Sequence, residues 1–169
     1  MRTICLALLS AFAASILLIL LILPLLKRMK AGQYILGYVK EHKNKGGTPT
    51  MGGLAFICAI VVVGICFLGF GSGDVNLTLA ITASFMIVGF LDDFLKIHRK
   101  DNGGLRPYQK ILFQISIATV AAVYCYVNNK TVLNIPFCKL SFDISWGIIP
   151  LVIFIFAATV NCVNLTDGL

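Results

Sequence analysis

The 169-residue chain carries 14 Lys and Arg against 7 Asp and Glu, a net charge of +7, with 59% hydrophobic and only 12% charged residues. Mean hydropathy is +0.93. Soluble domains run near 45–50% apolar and about 25% charged, so a soluble enzyme, a secreted disulfide-bonded domain and a nucleic-acid-binding module are excluded as first readings. The bilayer is the natural solvent, and the basic surplus then reports cytoplasmic loops.

A membrane-crossing helix needs about 20 apolar residues. Five charge-free stretches meet or approach that length: 3–26, 51–73, 75–91, 111–129 and 145–166. In the first, Ala11-Phe12-Ala13 looks like a signal-peptide cleavage site. The apolar run nevertheless continues to Leu26, past a signal core of about 7–15 residues, and is read as a span. The second begins at Lys45-Gly46-Gly47-Thr48-Pro49-Thr50-Met51-Gly52-Gly53. Thr48 suits a helix N-cap with Pro49 in the first helical position, Gly46 and Gly47 a turn, and Gly52 and Gly53 close helix packing. The same run also suits a phosphate, because helix N-terminal amides and glycine-bared backbone bind anions. Composition does not choose between these readings.

The third stretch ends on Asp92-Asp93-Phe94-Leu95-Lys96. Two carboxylates at a helix C-terminus oppose the helix dipole, and a sequence built only for stability would place lysine there. Neighbours on a helix point about 100° apart, so the pair is expected to take separate roles. Lys96 lies within reach of both, at i+4 and i+3. The fifth stretch ends on Asn161-Cys162-Val163-Asn164-Leu165-Thr166-Asp167-Gly168-Leu169. Asn161 and Asn164 share one helix face, and Asp167-Gly168 reads as a helix stop. Between the fourth and fifth stretches, Leu140, Phe142 and Ile144 alternate with Ser141 and Asp143 after Pro136, which predicts a small β-hairpin on the outer membrane face.

Orientation follows from Lys and Arg alone. Six (Lys27, Arg28, Lys30, Lys40, Lys43, Lys45) lie between the first two spans, and five (Lys96, Arg99, Lys100, Arg106, Lys110) between the third and fourth. The opposite side holds three: Arg2, Lys130 and Lys139. The positive-inside rule puts the N-terminus outside and Leu169 inside. The expected fold is therefore an all-α polytopic membrane protein of five transmembrane helices, N-terminus outside, with a small outer β-hairpin between helices 4 and 5. The span interiors carry no ionisable acid or base, which argues against a transporter or proton relay. Instead the polar motifs collect on the cytoplasmic side. The start of the second span and the ends of the third and fifth are expected to converge there on an anion, with magnesium between it and the carboxylates. The six cysteines form no C-x-x-C pair and read as small hydrophobes, and His42 and His98 read as solvated loop residues.

These motifs resemble those of the polyprenyl-phosphate N-acetylhexosamine-1-phosphate transferase superfamily, its muramoyl branch in particular. The carriers are His42-x-x-Lys45 running into Gly47-Thr48-Pro49-Thr50-Met51-Gly52-Gly53, then Asp92-Asp93-Phe94-Leu95-Lys96, Gly104-Leu105 with Gln109-Lys110, and Asn161-x-x-Asn164-Leu165-Thr166-Asp167-Gly168. The resemblance covers essentially the whole chain. It implies the N-terminal half, residues 1–169, of a ten-helix transferase domain, because the second Asp-Gly of the last motif and a later magnesium-binding aspartate are absent. It implies that UDP-N-acetylmuramoyl-pentapeptide gives its phospho-sugar to undecaprenyl phosphate, forming lipid I and UMP for peptidoglycan, at the cytoplasmic face of the bacterial inner membrane. Asp92 and Asp93 would be catalytic and would contribute to holding magnesium. Lys45, Thr50, Lys96, Lys110, Asn161, Asn164 and Asp167 would bind the substrates. Alternatives are transfer of N-acetylglucosamine-1-phosphate to a polyprenyl phosphate, or an inactive membrane module. The apolar flank left by an absent half would face lipid or a second copy in a homodimer.

Overall fold

The computed structural model describes residues 2–28, 51–99, 103–137 and 140–167. Five apolar helices dominate: α1 (Arg2–Arg28), α2 (Gly53–Leu68), α3 (Gly73–Arg99), α4 (Pro107–Val127) and α5 (Ile148–Asp167). A hairpin of β1 (Val132–Ile135) and β2 (Leu140–Asp143) and a 3-10 turn at Ser145–Gly147 join α4 to α5. Among the described residues, four helical segments are long and apolar enough to cross a membrane: α1, α3, α4 and the Ser145–Thr166 segment. The second expected span is shorter than its apolar run. α2 has 16 residues, about 24 Å at 1.5 Å per residue, against a hydrocarbon core of about 30 Å.

Local chemistry explains where the helices differ from the expected spans. Met51 has φ +69°, outside the right-handed helical region, so α2 starts two residues into its apolar run. At the other end Gly69 takes φ +63° and donates its N–H to the Ile65 carbonyl, closing the helix early. α3 instead runs on past Leu91 to Arg99, with Lys96, His98 and Arg99 in its last turn. Asp92 and Asp93 therefore stand inside the helix rather than at its end, and the basic last turn complements the dipole that the pair was expected to oppose. α4 opens on Pro107, whose missing N–H costs nothing there. It closes on Asn129 at φ +53°, with Lys130 N–H donating to the Cys125 carbonyl and Asn129 N–H to that of Tyr126, the paired bonds of a Schellman cap.

The chain forms two compact units, residues 1–106 and 107–169. In the first, α2 packs on both α1 and α3. Ala55 and Ala59 of α2 are fully buried, and Gly64 is so close to Leu79 of α3 that a Cβ would sit 3.0 Å from a leucine methyl carbon. Small residues supply the close approach that membrane helices need. They are not those the sequence suggested: among the described residues nothing lies within 4 Å of a Cβ built on Gly52. In the second unit α4 packs on α5 through Ala118, Ala121 and Ala122, all buried. Hydroxyls in the apolar helices satisfy themselves on the preceding turn, as Thr82 does on Thr78 and Thr119 on Ile115. The hairpin is antiparallel, with Leu133 opposite Phe142 and Ile135 opposite Leu140 on one face and Asn134 opposite Ser141 on the other. The alternation read from residues 140–144 is thus realised. The described cysteines are free, and Cys5, Cys66 and Cys162 are exposed on helix surfaces rather than buried.

Candidate functional site

The polar chemistry of the first unit centres on Lys96. Its Nζ lies 2.7 Å from Asp92 Oδ2 and 3.1 Å from Asp93 Oδ1. One ammonium thus bridges the two carboxylates that helix geometry alone would send apart. Their remaining oxygens do part. Asp92 Oδ1 accepts the backbone N–H of Leu105 at 2.7 Å, and Asp93 Oδ2 accepts that of Met51 at 3.2 Å. Two chain segments are tied to one turn of α3: the lead-in to α2 and the stretch after α3. Asp92 is the more enclosed, its side chain 14% exposed against 27% for Asp93 and 32% for Lys96.

Each tie is backed by packing. Met51 is buried beside Leu26 of α1, with Ile22, Leu54 and Ile97 around them, so the residue whose amide Asp93 holds also seals the end of this three-helix unit. Gly104 is buried over Asp92, and a Cβ there would run into the Asp92 carboxylate and lie 2.8 Å from its backbone carbonyl. Only glycine fits. Arg99 adds longer contacts to the Gly103 and Gly104 carbonyls, at 3.5 Å each. His98 is exposed as expected but sits in the last turn of α3 rather than in a loop, and its ring stacks on Phe94 at 6.2 Å.

In the second unit Asn161 is half-buried and donates from Nδ2 to Gln114 Oε1 at 2.8 Å and to the Ala157 carbonyl at 2.7 Å. Its amide nitrogen is therefore spent on helix packing. Asn164, one turn on, is exposed. Lys110 is half-buried in the first turn of α4, where the helix dipole already favours an anion. Asp167 is the last residue of α5. Lys45 and Thr50, with His42, Thr48 and Pro49, lie outside the described residues. The structure thus joins the start of the second apolar stretch to the end of the third, as expected. Sequence reasoning missed the Gln114 acceptor, whose one signal was an amide inside an apolar run.

The carboxylate pair is the ligand type that magnesium takes, one or two carboxylates completed by substrate phosphates. Each oxygen of Asp92 and Asp93 accepts a hydrogen bond, and a carboxylate oxygen can take a second partner. Among the described residues no third His, Cys, Asp or Glu joins them. The donor set therefore fits an ion that arrives with anionic substrate, and Asp93, the more open, is the better placed ligand.

The model of the family described as "Glycosyl transferase family 4" matches residues 75–169, more than half of the chain and both sites. The chain belongs to that family. Residues 45–57, ending in the stretch that Asp93 holds, match "Phospho-N-acetylmuramoyl-pentapeptide-transferase signature 1". Relatives bearing that enzyme's name include those of Bacillus subtilis (strain 168), 43% identical over 166 residues, and Clostridium botulinum (strain Alaska E43 / Type E3), 41% over 165. A third, from Staphylococcus haemolyticus (strain JCSC1435), is 40% identical over 166 residues. The alignments cover 95%, 96% and 94% of this chain but 51%, 51% and 52% of the relatives. The chain spans about half the length of the curated relatives it matches.

Proposed function

We propose that this chain forms the N-terminal half of a phospho-sugar transferase that moves phospho-N-acetylmuramoyl-pentapeptide from its UDP carrier to undecaprenyl phosphate, giving lipid I and UMP. The observation that carries the reading is the contact between the signature-bearing segment and the carboxylate pair, Met51 N–H on Asp93 Oδ2. A lipid-phosphate oxygen bonds to the sugar-bearing phosphorus as the bond from that phosphorus to the UMP oxygen breaks. Little covalent work falls to the protein, so positioning and charge stabilisation must supply the rate. Lys96 offers fixed positive charge to a phosphate; one of Asp92 and Asp93 takes the proton from the acceptor phosphate or orients it, and the other helps to hold magnesium or Lys96. Lys45, Thr50, Asn164 and Asp167 bind the nucleotide sugar, and Lys110 meets a phosphate as a point charge. Magnesium, held by Asp93 with Asp92, would neutralise the approaching phosphates. The setting is the cytoplasmic face of the bacterial inner membrane.

The test is a transfer assay on membranes carrying this chain together with the C-terminal half of a relative. Labelled UDP-N-acetylmuramoyl-pentapeptide and undecaprenyl phosphate should yield a lipid-linked product and UMP in the presence of magnesium. Product from UDP-N-acetylglucosamine instead would transfer the assignment to the sister activity, and no product from either would overturn it. Full turnover by this chain alone would refute its being half of the catalytic unit.

A further inference from the structure

Gln114 is 6% exposed, deep in the apolar face by which α4 meets α5. A buried amide is costly unless it is bonded, and Gln114 Oε1 is bonded to Asn161 Nδ2 at 2.8 Å. Around it the buried residues of α4 are Ala118, Ala121 and Ala122. Alanines let two helices approach closely, but one alanine contact is much like the next. A stripe of them sets distance without setting register. A single directional bond from a fixed acceptor does set it. Both protons of the Asn161 amide are committed, one to Gln114 and one to the Ala157 carbonyl of its own helix. That leaves its nitrogen nothing to offer a substrate.

We infer that Gln114 and Asn161 form a positioning brace that fixes the rotation and height of α5 on α4, and thereby presents Asn164 to the nucleotide. This rests on the transferase reading for what Asn164 meets, but not for the brace itself. Asn164 follows Asn161 by three residues, so it sits about 60° round the helix and about 4.5 Å further along. It is exposed where Asn161 is half-buried. A slip of one small residue along the stripe would move Asn164 by more than a hydrogen bond tolerates. Asn161, first read as a substrate ligand, becomes a residue that acts through Asn164, and Gln114 joins the set.

The experiment compares wild type, Gln114→Leu and Gln114→Glu, each assembled with the C-terminal half of a relative in lipid nanodiscs, with two readouts: hydrogen exchange of the 160–167 amides, and affinity for UMP. Leucine keeps the volume and removes the acceptor, whereas glutamate, which burial holds in its neutral acid form, keeps an oxygen acceptor in place without adding a charge. The leucine variant should exchange about tenfold faster over those residues and bind UMP about tenfold more weakly. The glutamate variant should recover both to within about threefold of wild type. Unchanged exchange in Gln114→Leu, or a glutamate variant as impaired as leucine, overturns the brace. Faster exchange with undiminished UMP affinity overturns the positioning role. Absence of UMP binding in wild type defeats the transferase reading instead, and exchange alone then judges the brace.

Discussion

The two units solve the same problem, fixing polar groups at a helix junction in an apolar protein, with different chemistry. The first uses full charges: Lys96 between Asp92 and Asp93, with backbone N–H groups of Leu105 and Met51 on the outer oxygens. The second uses neutral amides, Gln114 and Asn161, and no charge at the junction itself. The difference follows exposure. The trio lies where its side chains are 14–32% exposed, so water shares the cost of the ions and the charges stay reachable. Gln114 is 6% exposed, and a lone ion there would pay a desolvation cost that one neighbour could not return. Charge that can be reached can also react, whereas the buried amides can only hold.

The sharpest way to break that contrast is to remove one charge at a time from the trio. Asp92→Asn and Asp93→Asn each keep an oxygen for the backbone N–H they hold and lose only the ionic half. Each should lower turnover by at least about a hundredfold, the scale of a general acid–base or charge-stabilising group. Higher magnesium should partly restore the metal-facing variant and leave the other unchanged. Detergent melting should show both folded. Near-normal turnover in either folded variant would reduce the trio to a structural clasp and erase the difference between the units.

The trio and the brace were unequally legible in the sequence, for a physical reason. Asp92, Asp93 and Lys96 fall within one helical turn, so spacing alone brought the ammonium to both carboxylates. What spacing could not show was that α3 continues to Arg99, which moved the aspartates inside the helix. Nor could it show which backbone groups they hold, since Met51 is 42 residues away from Asp93. Gln114 and Asn161 are 47 apart, and no local period links them. The hairpin was readable because its alternation is local and each strand has four residues. The shortness of α2 was not, because it depends on the positive φ of Met51 and Gly69 rather than on hydropathy.

A smaller effect is expected from glycines. Gly104→Ala would press a methyl group into Asp92, and the stretch holding Leu105 must shift. Overpacking of this kind costs about 1–3 kcal/mol. Turnover should fall along with the melting temperature, because the Leu105–Asp92 bond lengthens as the backbone moves. Gly89→Ala, within α3 with no described atom near it, should instead be neutral or stabilising by under about 1 kcal/mol. Equal effects at the two positions, read by detergent melting, would show that the strand of chain over Asp92 is not fixed by close packing.

The smallest expected effect lies in the second unit, at the one carboxylate of its hairpin. Asp143 is fully exposed, yet its carboxyl is held below the ordinary value of 3.8 by hydrogen bonds from the Thr131 side chain first and the Ser145 backbone second. The Ser145 N–H reaches Asp143 Oδ1 at 2.8 Å, an Asx-type turn that shapes the entry to α5. Because the folded value is depressed, the stabilisation is fully present above 3.8 and is lost only as pH falls through the lower folded value. Neutral and mildly acid pH should therefore leave the hairpin unchanged. Trp146, the single tryptophan, stands three residues from Asp143 and gives a local probe. Its fluorescence should titrate with a midpoint below 3.8 in wild type and lose that transition in Asp143→Asn. Transfer at neutral pH should be the same in both, since this carboxylate touches neither junction. A wild-type midpoint at or above 3.8 would mean that Thr131 and Ser145 do not hold the ionised form. Altered transfer by Asp143→Asn would mean that the hairpin end and the brace end of this unit are coupled, and the neutral junction would then not be insulated from charge.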